Sequence, residues 1–163
     1  MTAVFIVPCA AEKIDVAAPA RALYASDNFQ YILAGAEAEA AAHARDMGEG
    51  AKVMILSAKY GLLDLDQVVA PYDVKMTDHT GTVTVAALAD QLREVAPTSV
   101  TTMLPKAYAE RLEAAVAVIN DDEDGELWIS HYDAYETAPG IGFHRGVSAR
   151  LTRVAAIEFD LAA

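Results

Sequence analysis

The sequence predicts an α/β fold, a three-layer sandwich in which helices cover both faces of a mostly parallel sheet of about four strands. Short aliphatic and β-branched runs alternate with longer Ala-rich segments along the chain. The apolar runs are only about five residues long and carry almost no polar residues, which is typical of strands buried on both faces. The length of 163 residues suits one domain, so we expect a single domain over residues 1–163.

The expected elements follow each other in the order β-α-β-loop-α-β-α-β-α. They are strand one at 4–7, a loop over 9–25, a helix over 28–47, strand two at 52–56, a long irregular segment over 57–76, a helix over 85–95, strand three at 100–104, a helix from 105 to about 119, strand four at 127–130 and a last helix over 143–157. Right-handed crossovers would place the helices on both faces of the sheet.

Spacing and capping signals support the first elements. Pro8 ends the first strand, because proline has no N–H to donate to a sheet. Ser26–Asp27 precedes a stretch in which Phe29, Ile32 and Leu33 share one helical face, so it predicts an N-cap followed by an amphipathic helix. Gly48 or Gly50 is expected to end that helix.

The same signals recur in the second half. Val85, Leu88 and Leu92 repeat at helical spacing, and Pro97 stops that helix. Pro105 lies where the next helix should begin, a position at which its missing N–H is harmless. The acidic run 120–126 lacks the spaced ligands and closing Glu of a calcium-binding EF-hand, so we interpret it as a solvated turn.

The segment 57–73 stands out, since it follows a buried strand and has no helical or alternating pattern. It is too apolar to be disordered, and long irregular segments in compact domains are usually functional. Ligands of parallel α/β sheets bind at the carboxyl ends of the strands. We therefore expect a site in which the segment 57–73 meets the segment 8–24, which follows the first strand.

Charge and composition restrict the function classes. Twelve Lys and Arg against 24 Asp and Glu give a net charge of −12, which disfavours broad binding to nucleic acid, although a local basic patch is an alternative. The single cysteine rules out an internal disulfide and favours a reducing compartment. The N-terminus lacks a secretory signal and no run is long enough to span a membrane, so we expect a cytoplasmic protein without a membrane partner.

Lys13, Lys59 and Asp73 are the candidate catalytic residues. A partly desolvated lysine acts as a base or as an amine nucleophile, for example on a sugar C1′ with loss of the base, whereas a solvated lysine binds phosphate. Pairing of both lysines with carboxylates of the same segments is the structural alternative. Asp73 follows the rigid Pro71 and suits acid–base chemistry, or else it caps a turn or the next helix.

A second set of residues is expected to bind substrate. Tyrosines offer flat faces for a base or instead fill the core, Cys9 is a nucleophile or a small buried apolar residue, and Arg21 binds an anion or pairs with Asp15 or Asp27. Gly140 and Gly142 precede a helix, where free N–H groups favour an anion or where tight packing needs glycine. The substrate-binding candidates are Cys9, Arg21, Tyr24, Ser57, Tyr60, Tyr72, Gly140 and Gly142. The four histidines show no metal-ligand spacing, so we expect no metal and no cofactor.

Three motifs in this order resemble an uncharacterised bacterial and phage domain family. They are Pro8-Cys9-Ala10-Ala11-Glu12-Lys13, Pro19-Ala20-Arg21-Ala22-Leu23-Tyr24, and Leu56-Ser57-Ala58-Lys59-Tyr60-Gly61-Leu62 closing on Pro71-Tyr72-Asp73. Gly140-Ile141-Gly142 is similar to that family's Gly-x-Gly before its last helix. The third motif is also similar to a loop of the YaaA peroxide-stress proteins, which bind DNA. The first is similar to a loop of archaeosine synthase, which attaches lysine to a deazaguanine base in tRNA, but Ile14-Asp15 replaces the Pro-Tyr that follows there.

These likenesses imply a protein that recognises a nucleobase, nucleoside or nucleotide. We expect an enzyme acting on a glycosidic bond or a modified base, such as a glycosylase or a base-modifying transferase. The alternatives are a non-catalytic nucleotide- or DNA-binding protein of stress or phage–host conflict, and an acidic interaction protein. The sequence leaves the reaction and the oligomeric state open.

Overall fold

A computed structural model of the chain describes residues 2–136 and 146–153. Its elements are, in chain order, β1 (Thr2–Pro8), β2 (Ala18–Pro19), α1 (Ala20–Leu23), α2 (Asp27–Met47), β3 (Gly50–Ser57), β4 (Gly61–Asp64), β5 (Val68–Val69), α3 (Val85–Val95), β6 (Ser99–Thr102), α4 (Lys106–Asn120) and β7 (Ser130–Asp133). Residues 146–153 are also helical. The α/β class is thereby confirmed.

Within the described residues the main sheet has five strands in the order β4-β3-β1-β6-β7. Strand β1 pairs in parallel with β3 and β6, β6 pairs in parallel with β7, and only the edge strand β4 is antiparallel. After β1 the chain adds β3 on one side and then crosses to β6 on the other. The chain order therefore reverses next to β1, and such a switch point leaves a crevice at the carboxyl ends of the strands.

The residues of β1 supply both core layers, because successive side chains of a strand point to opposite faces. Phe5 packs in a cluster with the buried face of α2, which includes Phe29 and Ile32. Ile6 packs in a second cluster, to which α3 and α4 contribute Leu88, Leu92, Leu112 and Val116. Helix α2 and helix α4 therefore leave the switch point on opposite faces of the sheet.

The expected helix caps are confirmed. Ser26 is the N-cap of α2, and its Oγ accepts a hydrogen bond from the Phe29 N–H at 3.2 Å. Gly48 ends the helix with φ of +64°, a left-handed conformation that costs glycine little. Pro105 occupies the N-cap position of α4, as its place in the sequence suggested.

The expectation of an irregular segment over 57–76 is wrong in part. Strand β4 pairs with β3 as a hairpin, and β5 pairs with β2 in a separate two-stranded sheet. Leu62 and Leu63 explain the hairpin, since they enter the two different core clusters as alternating residues of a strand do. The described sheet consequently has five strands, close to the expected number of about four.

The fourth parallel strand begins later than predicted. We expected 127–130, whereas β7 spans Ser130–Asp133. The side chain of Asn120 accounts for the shift, because its carboxamide bonds both the N–H and the carbonyl of Ile129 at 2.9 Å. Those peptide groups are then taken by a side chain rather than by β6.

No helix in the described part of the chain is long and apolar enough to cross a membrane. Gly140 and Gly142, together with parts of the predicted last helix, lie outside the described residues.

Candidate functional site

The segments 8–24 and 57–73 are joined by backbone hydrogen bonds. The N–H of Ala20 donates to the Gln67 carbonyl and that of Arg21 donates to the Leu65 carbonyl, both at 2.9 Å. The β2–β5 pairing continues this contact. The two segments therefore lie side by side at the carboxyl ends of β1 and β3, where the sequence motifs placed them.

Three side-chain hydroxyls meet between these segments. The Tyr72 hydroxyl lies 2.7 Å from Ser57 Oγ and 2.9 Å from the Tyr24 hydroxyl. On the neighbouring strand end, Cys9 Sγ lies 3.1 Å from the hydroxyl of Tyr108, which projects from α4. We call these five residues the hydroxyl cluster. Tyr24 and Ser57 are fully buried, so the cluster is part of the protein interior as much as of its surface.

Ser57 fixes the direction of one hydrogen bond in the hydroxyl cluster. Its Oγ accepts from the backbone N–H groups of Lys59 at 3.2 Å and Tyr60 at 3.0 Å. A serine oxygen has two lone pairs and one proton, so the Ser57 O–H must be donated to Tyr72. Ser57 thus anchors the turn after β3 and the Tyr72 ring together.

Burial makes the tyrosines of the hydroxyl cluster hard to ionise. Removal from water raises the pKa of Tyr24 to about 12. Burial likewise raises the pKa of Tyr72 and that of Tyr108, and repulsion from the neighbouring Cys9 sulfur adds to both shifts. At neutral pH all three are therefore neutral phenols that donate and accept hydrogen bonds.

Two lysines flank the aromatic side of the hydroxyl cluster. The half-buried Lys13 places its Nζ 4.2 Å from the Tyr72 ring centroid and donates to the Ala11 carbonyl at 3.2 Å. The exposed Lys59 places its Nζ 5.0 Å from the Tyr60 centroid. The Tyr60 and Tyr72 rings meet edge to face at 5.2 Å, so each of the two cations contacts one ring of the same aromatic pair.

Gln91 of α3 holds the turn that carries Tyr60. Its Oε1 accepts from the Leu62 N–H at 2.8 Å, and its Nε2 donates to the Tyr60 carbonyl at 2.9 Å. Gly61 lies between these two residues with φ of +76°, and a Cβ there would lie 2.0 Å from Gln91 Oε1. The turn therefore requires glycine for its conformation and for space.

A cavity of about 360 Å³ opens beside the hydroxyl cluster, at the switch point between β1 and β6. We call it the switch-point cavity. Its lining residues are Pro8, Cys9, Ala10, Ala11, Glu12, Ser26, Asn28, Phe29, Ile32, Met103, Pro105 and Tyr135. Cys9 contributes to both features, since it lines this cavity and also bonds Tyr108.

Asp73 and Arg21, two further predicted site residues, do not line the switch-point cavity. Asp73 is exposed and makes no hydrogen bond or ion pair within residues 2–136 and 146–153. Arg21 pairs with Glu37 at 3.4 Å and Asp66 at 3.2 Å, so the predicted pairing with Asp15 or Asp27 is wrong. The proposed anion site at Gly140 and Gly142 falls outside the described residues.

Sequence reasoning missed Tyr108, Gln91 and the switch-point cavity. Tyr108 stands at helical spacing with Leu112 and Val116, so the sequence marks it as an apolar-face residue and gives no separate signal for its hydroxyl. Gln91 is one polar residue in an amphipathic helix, and only the fold brings it to Gly61. The first motif supplies one wall of the cavity, but no motif marks its other apolar walls, such as Phe29, Ile32 and Met103. In the described part of the chain, no group of three or more His, Cys, Asp or Glu side chains could hold a metal ion.

Comparison with known proteins gives a family but no function. No curated protein and no solved structure matches the chain. The likenesses to YaaA and to archaeosine synthase therefore stay predictions. One family model matches residues 4–123, which include most of β1, the hydroxyl cluster, most of the described lining of the cavity, and helices α2 to α4. The chain accordingly belongs to the family of unknown function DUF6884.

Proposed function

We propose that this protein recognises a nucleobase, nucleoside or nucleotide in the switch-point cavity and acts on its glycosidic bond or on the base. The observation that carries the proposal is the position of the cavity, at the carboxyl ends of the two parallel strands next to which the chain order reverses. Open α/β sheets bind their ligands at such points. We interpret the fold as a three-layer sandwich in which the ligand site lies at the carboxyl ends of the parallel strands.

The walls of the switch-point cavity suit a flat ring with a polar edge. Phe29, Ile32, Met103 and Pro105 are apolar, and aromatic and aliphatic faces contact both sides of a planar base. Glu12, Ser26 and Asn28 supply polar groups at the same cavity. Its volume lies in the range of roughly 300–1,000 Å³ that small-ligand pockets show.

The reactive groups nearest to the switch-point cavity come from the 8–24 segment. The Cys9 thiol lines the cavity, and Lys13 Nζ is bonded to the carbonyl of Ala11, another lining residue. When its amine is neutral, a lysine at that place can attack the sugar C1′ with loss of the base or act as a base, and when charged it binds a phosphate of the ligand. In this scheme the exposed Asp73 acts only on a ligand that extends out of the cavity.

Binding without catalysis is the second candidate, and one observation favours it. The hydroxyls of Tyr24, Ser57 and Tyr72 bond one another, so they hold the two segments together instead of facing a ligand. A nucleotide sensor needs only the switch-point cavity and this support. The net charge of −12 opposes duplex DNA as its ligand, so a gel-shift titration at low salt should show no complex.

A substrate panel tests the proposal. The protein is incubated with common and modified nucleobases, nucleosides, nucleotides and single-stranded DNA, binding is followed by calorimetry, and products are sought by mass spectrometry. We expect at least one member to bind and a released or modified base to appear, with Lys13→Ala abolishing the product. Binding without any product would leave the sensor, whereas no binding to any member would overturn the proposal.

A further inference from the structure

We propose that Lys13 and Lys59 form a phosphate subsite, so that the ligand of the switch-point cavity is a phosphorylated nucleoside rather than a free base or nucleoside. This inference rests on the proposed function, because the cavity is taken to hold the base. It starts from two lysine charges that no carboxylate of the described residues balances.

Some lysine and arginine side chains of the described residues form ion pairs with carboxylates, and others do not. Asp and Glu outnumber Lys and Arg two to one, and five of the described cations have carboxylate partners within 4 Å. Those five are Arg21, Arg45, Lys52, Arg93 and Lys106. Lys13 and Lys59 have no such partner among the described residues, although Glu12 and Asp73 belong to the same two segments.

Lys13 is also held in place, which separates it from an ordinary solvated lysine. Its Nζ contacts the faces of Tyr72 at 4.2 Å and Tyr24 at 5.7 Å, and one of its donors is used by the Ala11 carbonyl. An ammonium group has three donors, so two remain for a ligand. Lys59 is placed against Tyr60, whose ring packs on that of Tyr72.

Lys13 is tied to the rim of the switch-point cavity, because its Nζ donates to the carbonyl of the lining residue Ala11 at 3.2 Å. Cys9, Ala10, Ala11 and Glu12 line the cavity, and Lys13 follows them directly. A base in the cavity would thus present its sugar and phosphate along this stretch toward Lys13. Lysine binds phosphate as a point charge. The nearby aromatic rings occupy part of the space around the Lys13 ammonium group, so water competes less with phosphate for it.

Calorimetry with inorganic pyrophosphate and with matched pairs of nucleoside and 5′-monophosphate tests the subsite. We expect pyrophosphate to bind at low ionic strength, and each monophosphate to bind more tightly than its nucleoside. Lys13→Met keeps an unbranched apolar side chain over Tyr72 and removes the charge, so it should weaken phosphate binding about tenfold. Lys59→Met should act in the same direction, and it provides the test on an exposed side chain if Lys13→Met does not fold.

Lys75→Met is the matched control, because Lys75 is exposed and also lacks an ion pair in the described structure, but lies outside the aromatic pair. It should leave the affinities unchanged. Equal losses in Lys75→Met and Lys13→Met would reduce the effect to net charge and overturn the subsite. If nucleosides bind as tightly as their monophosphates, the subsite is wrong while the proposed function stands. If neither class binds, both proposals fail.

Discussion

The hydroxyl cluster and the switch-point cavity share Cys9 but are built in opposite ways. The cluster consists of side chains with obvious chemistry, and its hydrogen bonds are made within the protein. The cavity consists largely of alanine, proline and apolar side chains, and it has open volume. The hydroxyl-bearing residues of the motifs therefore mainly hold the two segments together, while the open cavity lies beside them.

This division assigns different consequences to substitutions in the two regions. Changes in the hydroxyl cluster or its supports should lower stability, because they leave buried groups unpaired or strain a turn. Changes at the exposed rim of the switch-point cavity should alter binding at little cost in stability.

Gly61→Ala should be the most destabilising single change. The new Cβ would require a left-handed backbone at φ of +76° and would displace Gln91, which makes two hydrogen bonds to the turn. Strain and two lost hydrogen bonds together cost about 3–4 kcal/mol. Urea unfolding monitored by circular dichroism measures the loss.

Gly81→Ala is the matched control for this change. Gly81 has nearly the same φ of +77°, but a Cβ there would meet only Val74 at 3.7 Å. Its cost should be the strain alone, about 1–2 kcal/mol. Equal losses at Gly61 and Gly81 would show that the Gln91 contact does not support the turn.

Ser57→Ala should rank next, with a loss of about 2–3 kcal/mol in the free energy of unfolding. The substitution leaves the N–H groups of Lys59 and Tyr60 without their acceptor and removes the donor to Tyr72. Thr84→Ala is the control, since Thr84 Oγ1 accepts one backbone N–H as the N-cap of α3 and should cost about 1 kcal/mol. A smaller loss at Ser57 than at Thr84 would contradict the structural role of the hydroxyl cluster.

Alkaline pH should lower the free energy of unfolding of the wild type more than that of the Tyr24→Phe variant. The pKa of Tyr24 is raised from 10 to about 12, so the folded state retains a proton that the unfolded chain releases. The contribution of Tyr24 to the free energy of unfolding is fully present below pH 10, and it falls by about 1 kcal/mol per pH unit between pH 10 and 12. Urea unfolding of both proteins across that range measures the difference in slope, and parallel curves between pH 7 and 9 are the internal control. Identical slopes above pH 10 would show that Tyr24 is not desolvated.

The larger elements were predictable because their signals are local. Ser26 with the apolar face of Phe29 and Ile32 defines α2, and the uninterrupted run at β1 defines a central strand. The segments 8–24 and 57–73 could also be placed together, because parallel strands have their carboxyl ends at one edge of the sheet. The element bounds that were predicted wrongly depend on residues distant in sequence. The start of β7, for example, depends on the side chain of Asn120.

The candidate site was predictable only where it consists of motif residues. Tyr24, Ser57 and Tyr72 meet as the motifs suggested. Whether they face a ligand depends on which hydrogen bonds they already make, and a sequence does not give that distribution. The switch-point cavity depends on the strand order and on α2 and α4 leaving on opposite faces, so it emerges only from the complete topology.

Nucleotide titration of two variants tests most directly whether the ligand lies in the switch-point cavity. Ala11 is exposed and lines the cavity, so Ala11→Phe should fill it while changing the free energy of unfolding by no more than about 0.5 kcal/mol. Tyr108→Phe removes a hydroxyl from the hydroxyl cluster and leaves the cavity open. We predict that Ala11→Phe abolishes binding of the nucleoside monophosphate that the wild type binds most tightly, whereas Tyr108→Phe retains it. Wild-type affinity in Ala11→Phe would contradict the account.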